Sequence, residues 1–184
     1  MSRLLIALLL VFAPVAYATT ALKLSLDKLT DTSSRIVVAK AGASEARWDA
    51  AKTGIWTHVS VTISETLKGD SEKTLDVAIR GGVVGTVGQH VAGAGNLEKD
   101  KEYLLFLWKD DAGRWQLQGM IQGAFALETR QNVVYARNSL TGLTIVDAAT
   151  LKPAADKAAV ELKLSDARTS IAARIKANQP EQPK

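Results

Sequence analysis

IWTHVSVTISETLKGDSEKTLDVAIR, residues 55–80, decides the fold class. Ile55, Thr57, Val59, Val61 and Ile63 alternate with Trp56, His58, Ser60, Thr62 and Ser64, the period of two at which successive side chains of an extended strand point to opposite faces. One face is therefore a core face and the other a wetter one. Lys68, Gly69 and Asp70 interrupt the pattern as a turn, and Leu75, Val77 and Ile79 resume it against Asp76, Ala78 and Arg80. The two segments are expected to pair as an antiparallel hairpin. Upstream, RIVVAKAGASEARW (35–48) opens as a β-branched strand and continues through small residues, with Gly42 where a bulge or bend is expected. Downstream, YLLFLW (103–108) is apolar on both alternating faces, which predicts a strand covered on each side. Turns at 110–113 and 130–132 then introduce WQLQGM, AFALE and VVYAR. Six or seven strands at this spacing make the chain mostly β, a small sandwich or barrel.

The ends of the chain read differently. Arg3, an apolar run over 4–13 and the small-x-small triplet Ala16-Tyr17-Ala18 form an export leader, so residues 1–18 are expected to be cleaved and the mature chain to begin at Thr19. The apolar run is shorter than the roughly 18 residues a spanning helix needs, and no later segment reaches that length. The expected location is periplasmic or secreted, with no transmembrane segment after cleavage. Ser25 stands as N-cap to a short helix bearing Leu26 and Leu29, and Ser165-Asp166 is expected to cap a second helix in which Ala167, Ile171 and Ile175 recur every four residues. The expected organisation is a β domain over 19–137, a variable connector over 138–163, a helix over 164–177 and a disordered polar tail over 178–184.

Composition excludes several classes. With no cysteine, the chain has no disulfides, thiolate metal sites or cysteine nucleophiles. Lys and Arg number 23 against 19 Asp and Glu, and the basic residues are scattered rather than clustered, so nucleic acid is not an expected partner. Only two histidines are present, without HExxH or paired spacing, so no metal site and no cofactor is expected. GxSxG is missing, and Ser60 and Ser64 have no visible base, so no catalytic residues are assigned and the chain reads as non-enzymatic.

What does point to binding is GGVVGTVGQHVAGAG, residues 81–95. Glycine this dense weakens ordinary sheet and permits close approach, so the run reads as a shaped loop or bulged strand, either a flexible hairpin or a recognition surface. It ends in neither the Gly-Lys-Ser/Thr of a phosphate loop nor a dinucleotide fingerprint. The partner-binding candidates are Gly82, Gly85, Gly88, Gln89 and His90 in the run, Trp56 and His58 on the wetter strand face, and Thr19 at the expected mature terminus.

The order of these features, a lead-in helix, RIVVAKAGASEARW, a long alternating strand ending in ETLKGD, a third strand, a glycine loop and KEYLLFL, resembles the netrin-like modules. These are OB-type barrels that include the tissue inhibitors of metalloproteinases. The phrase GGxxGxxGQxVxG also resembles one shared by a group of exported bacterial proteins of unassigned function. The resemblance implies an OB-like barrel that binds another protein, a protease being one class, through its amino terminus and neighbouring loops. The inhibitors' amino-terminal cysteine, which chelates zinc, has no counterpart at Thr19, so the implied fold carries over and that mechanism does not. An alternative expectation is single-strand nucleic-acid or polysaccharide binding on a barrel face, and a further one is an unrecognised hydrolase.

Overall fold

The computed structural model describes residues 19–140, 142–146, 150, 152–153 and 160–179. The expected leader, much of the expected connector and the tail beyond Gln179 lie outside the described residues. In chain order the elements begin with β1 (Thr19–Leu22) and α1 (Leu26–Thr32), followed by β2 (Arg35–Trp48), β3 (Ile55–Lys68) and β4 (Thr74–Arg80). Two short strands of the glycine run follow, β5 (Gly82–Val84) and β6 (Val87–Gln89), then β7 (Glu102–Lys109), β8 (Trp115–Leu117), β9 (Ala124–Arg130) and β10 (Val133–Asn138). β11 (Leu143–Val146), β12 (Val160–Lys163) and α2 (Leu164–Ala177) complete the described chain.

The alternating segments pair as their pattern requires. β3 is antiparallel to β4 on one side and to β2 on the other, and the β2–β3 register slips between Ala41 and Ser44, across Gly42. The main sheet runs β12-β10-β9-β7-β2-β3-β4-β8. β8 pairs with β7 as well as meeting β4 at Val77 and Trp115, so β7, β2, β3, β4 and β8 hydrogen-bond into a ring. Inside it lie Val37, Ala39, Val59, Val61, Val77, Leu105 and Leu107. Outside, Ile36, Val38, Leu104 and Phe106 pack with Leu29 of α1 and Leu164, Ala167 and Ile171 of α2. The doubly apolar YLLFLW is thus buried on both faces, and Phe106 meets Phe125 edge to face with ring centres 5.8 Å apart.

Ion pairs hold α2 against the sheet and α1. The Arg168 guanidinium donates to Glu65 at 2.6 Å, and Arg174 donates through two nitrogens to Asp31 at 2.8 and 2.7 Å. Hydrogen bonding from Arg174, joined by Asn178, lowers the Asp31 carboxyl from 3.8 to about 2 despite the opposing cost of desolvation. At the end of the ring Arg35 is only 2% exposed, with Trp115 under its guanidinium at 4.7 Å and the carboxylates of Asp70 and Glu72 at 3.3 and 3.2 Å.

Four expectations are corrected. Twelve strands, not six or seven, occur among the described residues: β8 falls within the expected WQLQGM segment, whereas β1, β5, β6, β11 and β12 are each four residues or fewer, too short to show a period. The 138–163 segment is not all connector: β11 pairs in parallel with β1, and β12 adds to β10. The lead-in is a strand before it is a helix. Ser25 caps α1 as expected, accepting from Lys28 N–H at 3.1 Å, whereas α2 begins at Leu164 with Lys163 as an N-cap that makes no side-chain bond. Leu164 is 4% exposed, and burying it in the first turn draws the helix start ahead of Ser165.

Candidate functional site

The glycine run folds as a hairpin and a loop that together wall a cleft. Val83 pairs with Gly88 and Val84 with Val87, leaving Gly85 and Thr86 as a two-residue turn with Gly85 at φ 59°. At the hairpin's base Gly82 has φ 136°, and a Cβ there would sit 2.6 Å from Thr57 Oγ1 and 2.8 Å from Ala46 Cβ. The hairpin can lie against β2 and β3 only because that side chain is missing. Thr57 uses the closeness, its hydroxyl donating to the Gly81 carbonyl at 2.7 Å. Gln89 Oε1 accepts the Ile55 N–H at 2.6 Å and ties the hairpin's return strand to the start of β3. Further on, a Cβ on Gly93 would lie 2.0 Å from Leu143 Cδ2, so the loop packs directly on β11.

Between hairpin and loop lies a cavity of about 540 Å³, bordered by Thr57, Arg80, Gly82, Gln89, His90 and the 93–96 turn. Arg80 is the charge at its wall. Its guanidinium stacks on the Trp56 ring at 4.9 Å, and Arg114 stacks on the same indole at 3.9 Å. Arg114 is neutralised by Asp110 at 2.8 Å. Burial works to raise the Asp110 carboxyl, but the Arg114 backbone N–H and guanidinium outweigh it and hold it below the ordinary range. Among the described residues no carboxylate lies within 4 Å of Arg80, which is exposed and leaves the cleft with an uncompensated cation. Above the cleft the hairpin exposes two apolar side chains, Val83 at 68% and Val87 at 46%.

The residues singled out from sequence divide. Gly82, Gln89 and His90 line the cleft, with His90 exposed. Gly85 and Gly88 belong to the projecting hairpin, where an added Cβ meets nothing within 4 Å at Gly85 and only Val83 Cγ2 at 3.7 Å at Gly88. Thr19 pairs with Leu143, so the amino-terminal strand abuts the segment on which Gly93 rests. His58 points elsewhere: its Nδ1 lies 2.6 Å from Asp76 Oδ2 and 3.0 Å from Arg47 Nη2. A single ring nitrogen cannot donate to one and accept from the other, and the shorter contact assigns the proton to the Asp76 bond, with Arg47 reaching Asp76 at 3.6 Å.

Trp56 is a correction. Its strand register is the wetter one, yet it is only 3% exposed because Arg80 and Arg114 lie over it, so it supports the cleft's cation and cannot touch a partner. A nucleic-acid stacking platform on that face loses its principal ring. Sequence reading passed over Arg80, Val83 and Val87. Arg80 stands on the polar register and both valines lie within the glycine run, but neither the missing counter-ion nor the projection is a local property.

Among the described residues no three His, Asp or Glu side chains come close enough to share a metal ion, and no helix is long and apolar enough to cross a membrane. The arrangement brings together one stacked cation, glycine-walled depth and an apolar rim. In comparisons with known proteins, no family model, no curated protein and no solved structure matches the chain.

Proposed function

We propose that this chain is an exported, non-enzymatic binding module that recognises another protein through the glycine cleft and the hairpin above it. The observation that carries the reading is Arg80, a cation with no carboxylate partner among the described residues, fixed on Trp56 beside two exposed valines. Charge complementarity then selects a partner segment with an acidic side chain to meet Arg80 and an apolar side chain to cover Val83 and Val87. The ring of five strands supports an OB-like barrel as the scaffold. The pairing of the Thr19 strand beside the glycine loop supports the netrin-like expectation that both contribute to one surface, and a secreted protease is the partner class that likeness suggests. The leader residues support export.

The test is capture of proteins from the envelope and secreted fractions by the chain, by Arg80→Glu and by Val83→Asp. Retention of one protein by the unaltered chain and its loss from both variants is expected. Equal retention by all three would refute the reading.

A further inference from the structure

The outer end of β2 keeps an open edge. β2 pairs with β7 only as far as Lys40, and Ala41 then exchanges hydrogen bonds with the 100–101 turn at 2.9 and 2.8 Å. From Ser44 to Trp48 it pairs with β3, and among the described residues no strand meets its other side. Asp49 fixes the phase of that edge, its N–H donating to the Gly54 carbonyl at 2.9 Å. Bonded and non-bonded residues alternate along an antiparallel ladder, so the backbone groups of Glu45 and Arg47 face β3 and those of Ser44, Ala46 and Trp48 face outward. Ser44, Glu45, Arg47 and Trp48 also have exposed side chains, Trp48 at 38%.

An open edge is a template for another strand, and native chains ordinarily blunt it with charge. On this edge the charges are self-complementary. Glu45 and Arg47 lie two residues apart, on one face and with opposite sign. Among the described residues Glu45 has no basic group within 4 Å, and Arg47, 56% exposed, reaches Asp76 at 3.6 Å. A second copy laid antiparallel, with Ala46 opposite its own counterpart, sets Glu45 of each copy against Arg47 of the other. Both pairs then fall at non-hydrogen-bonded sites, where opposing Cα atoms are closest, at about 4.5 Å. In that register the outward backbone groups of Ser44, Ala46 and Trp48 meet those of Trp48, Ala46 and Ser44. Sliding the copies by two residues keeps backbone bonding but sets Glu45 against Glu45 or Arg47 against Arg47. We propose that two copies of this chain pair edge to edge through residues 44–48 of β2, antiparallel about Ala46 and joined by two Glu45–Arg47 ion pairs. The contact is isologous, as a two-fold dimer requires. Five residues a side make a small interface, so the dimer is a weak, reversible one that forms as concentration rises. None of the five lines the glycine cleft.

The test is sedimentation of the full chain over a range of concentrations, beside Glu45→Arg, Arg47→Glu and the double exchange of both. The unaltered chain should pass from monomer to dimer, and each single reversal should weaken self-association roughly tenfold or more, because both pairs become like-charged. The double exchange leaves net charge unchanged and restores unlike pairs, so it should dimerise as the parent does. Mixing the two single variants should give a mixed dimer, an outcome that requires both to be folded. An unaltered chain that stays monomeric throughout overturns the proposal without recourse to any variant. Single reversals that dimerise like the parent, or a double exchange as weak as the singles, overturn it equally.

Discussion

Replacing Gly82 and Gly88 by alanine, one at a time, asks whether the glycine hairpin is docked on the sheet. Both residues sit in the same two-stranded unit, yet their surroundings differ. At Gly82 an added Cβ meets Thr57 Oγ1 at 2.6 Å and Ala46 Cβ at 2.8 Å, with φ at 136°. A non-glycine residue held in a sparsely populated positive-φ conformation costs about 1–3 kcal/mol. Forcing a methyl into a filled site costs a further 1–3 kcal/mol or so. Displacing Thr57 also breaks its bond to the Gly81 carbonyl, for about 1 kcal/mol more. Because the hairpin can shift away to relieve part of this, Gly82→Ala should lose about 3 kcal/mol or somewhat more. At Gly88 the nearest atom is Val83 Cγ2 at 3.7 Å, an ordinary contact, so Gly88→Ala should stay within about 0.5 kcal/mol of the parent or stabilise slightly by restricting the unfolded chain. Urea unfolding followed by tryptophan fluorescence gives both values from midpoint and slope. Two variants agreeing within about 0.5 kcal/mol would mean that the hairpin does not rest on Ala46 and Thr57 and that the cleft wall is wrongly drawn.

Acid should release α2 first. The folded Asp31 carboxyl is depressed, from 3.8 to about 2, so its contribution is complete above the unfolded value and is lost as pH falls through the folded one. The stability gap between the parent and Asp31→Asn should therefore close between about pH 4 and about pH 2, and a gap that stays constant would remove the Arg174 pairing as its cause. Arg35 is expected to act mainly by filling space, since two of its nitrogens lack hydrogen-bond partners and both its carboxylates reach solvent. Arg35→Met should change stability by about 1 kcal/mol at most and Arg35→Ala should lose about 3 kcal/mol; equal losses in thermal unfolding would show that the charge matters more than the volume. Partner binding should weaken only modestly with added salt, the signature of one ion pair with apolar contacts, whereas a steep logarithmic fall would indicate nucleic acid.

The parts of the fold legible in the sequence are those whose signal is local. Alternation over 55–80 gives β3 and β4, Gly42 marks the register slip, and a doubly apolar run gives a strand buried on both faces. The β1–β11 ladder has no such signal: four residues pair with four others more than a hundred positions away, and neither stretch is long enough to show a period. The same limit governs the site. Glycine density announced a close approach, but whether Gly82 yields to Thr57 or Gly93 to Leu143 depends on neighbours that folding supplies. Trp56 shows the limit most plainly, because the period of two assigns its face correctly and says nothing about the two arginines that later cover that face.

The most direct test of the recognition surface is site-specific photo-crosslinking in the native compartment, with the reactive side chain at Val87 on the hairpin, at Lys109 at the end of β7 and outside the cleft lining as control, and at Val87 in an Arg80→Gln chain. The account predicts one crosslinked protein from Val87, none of it from Lys109, and its loss when Arg80 is neutralised. The same product from Lys109, or a Val87 product indifferent to Arg80, would contradict recognition through the glycine cleft.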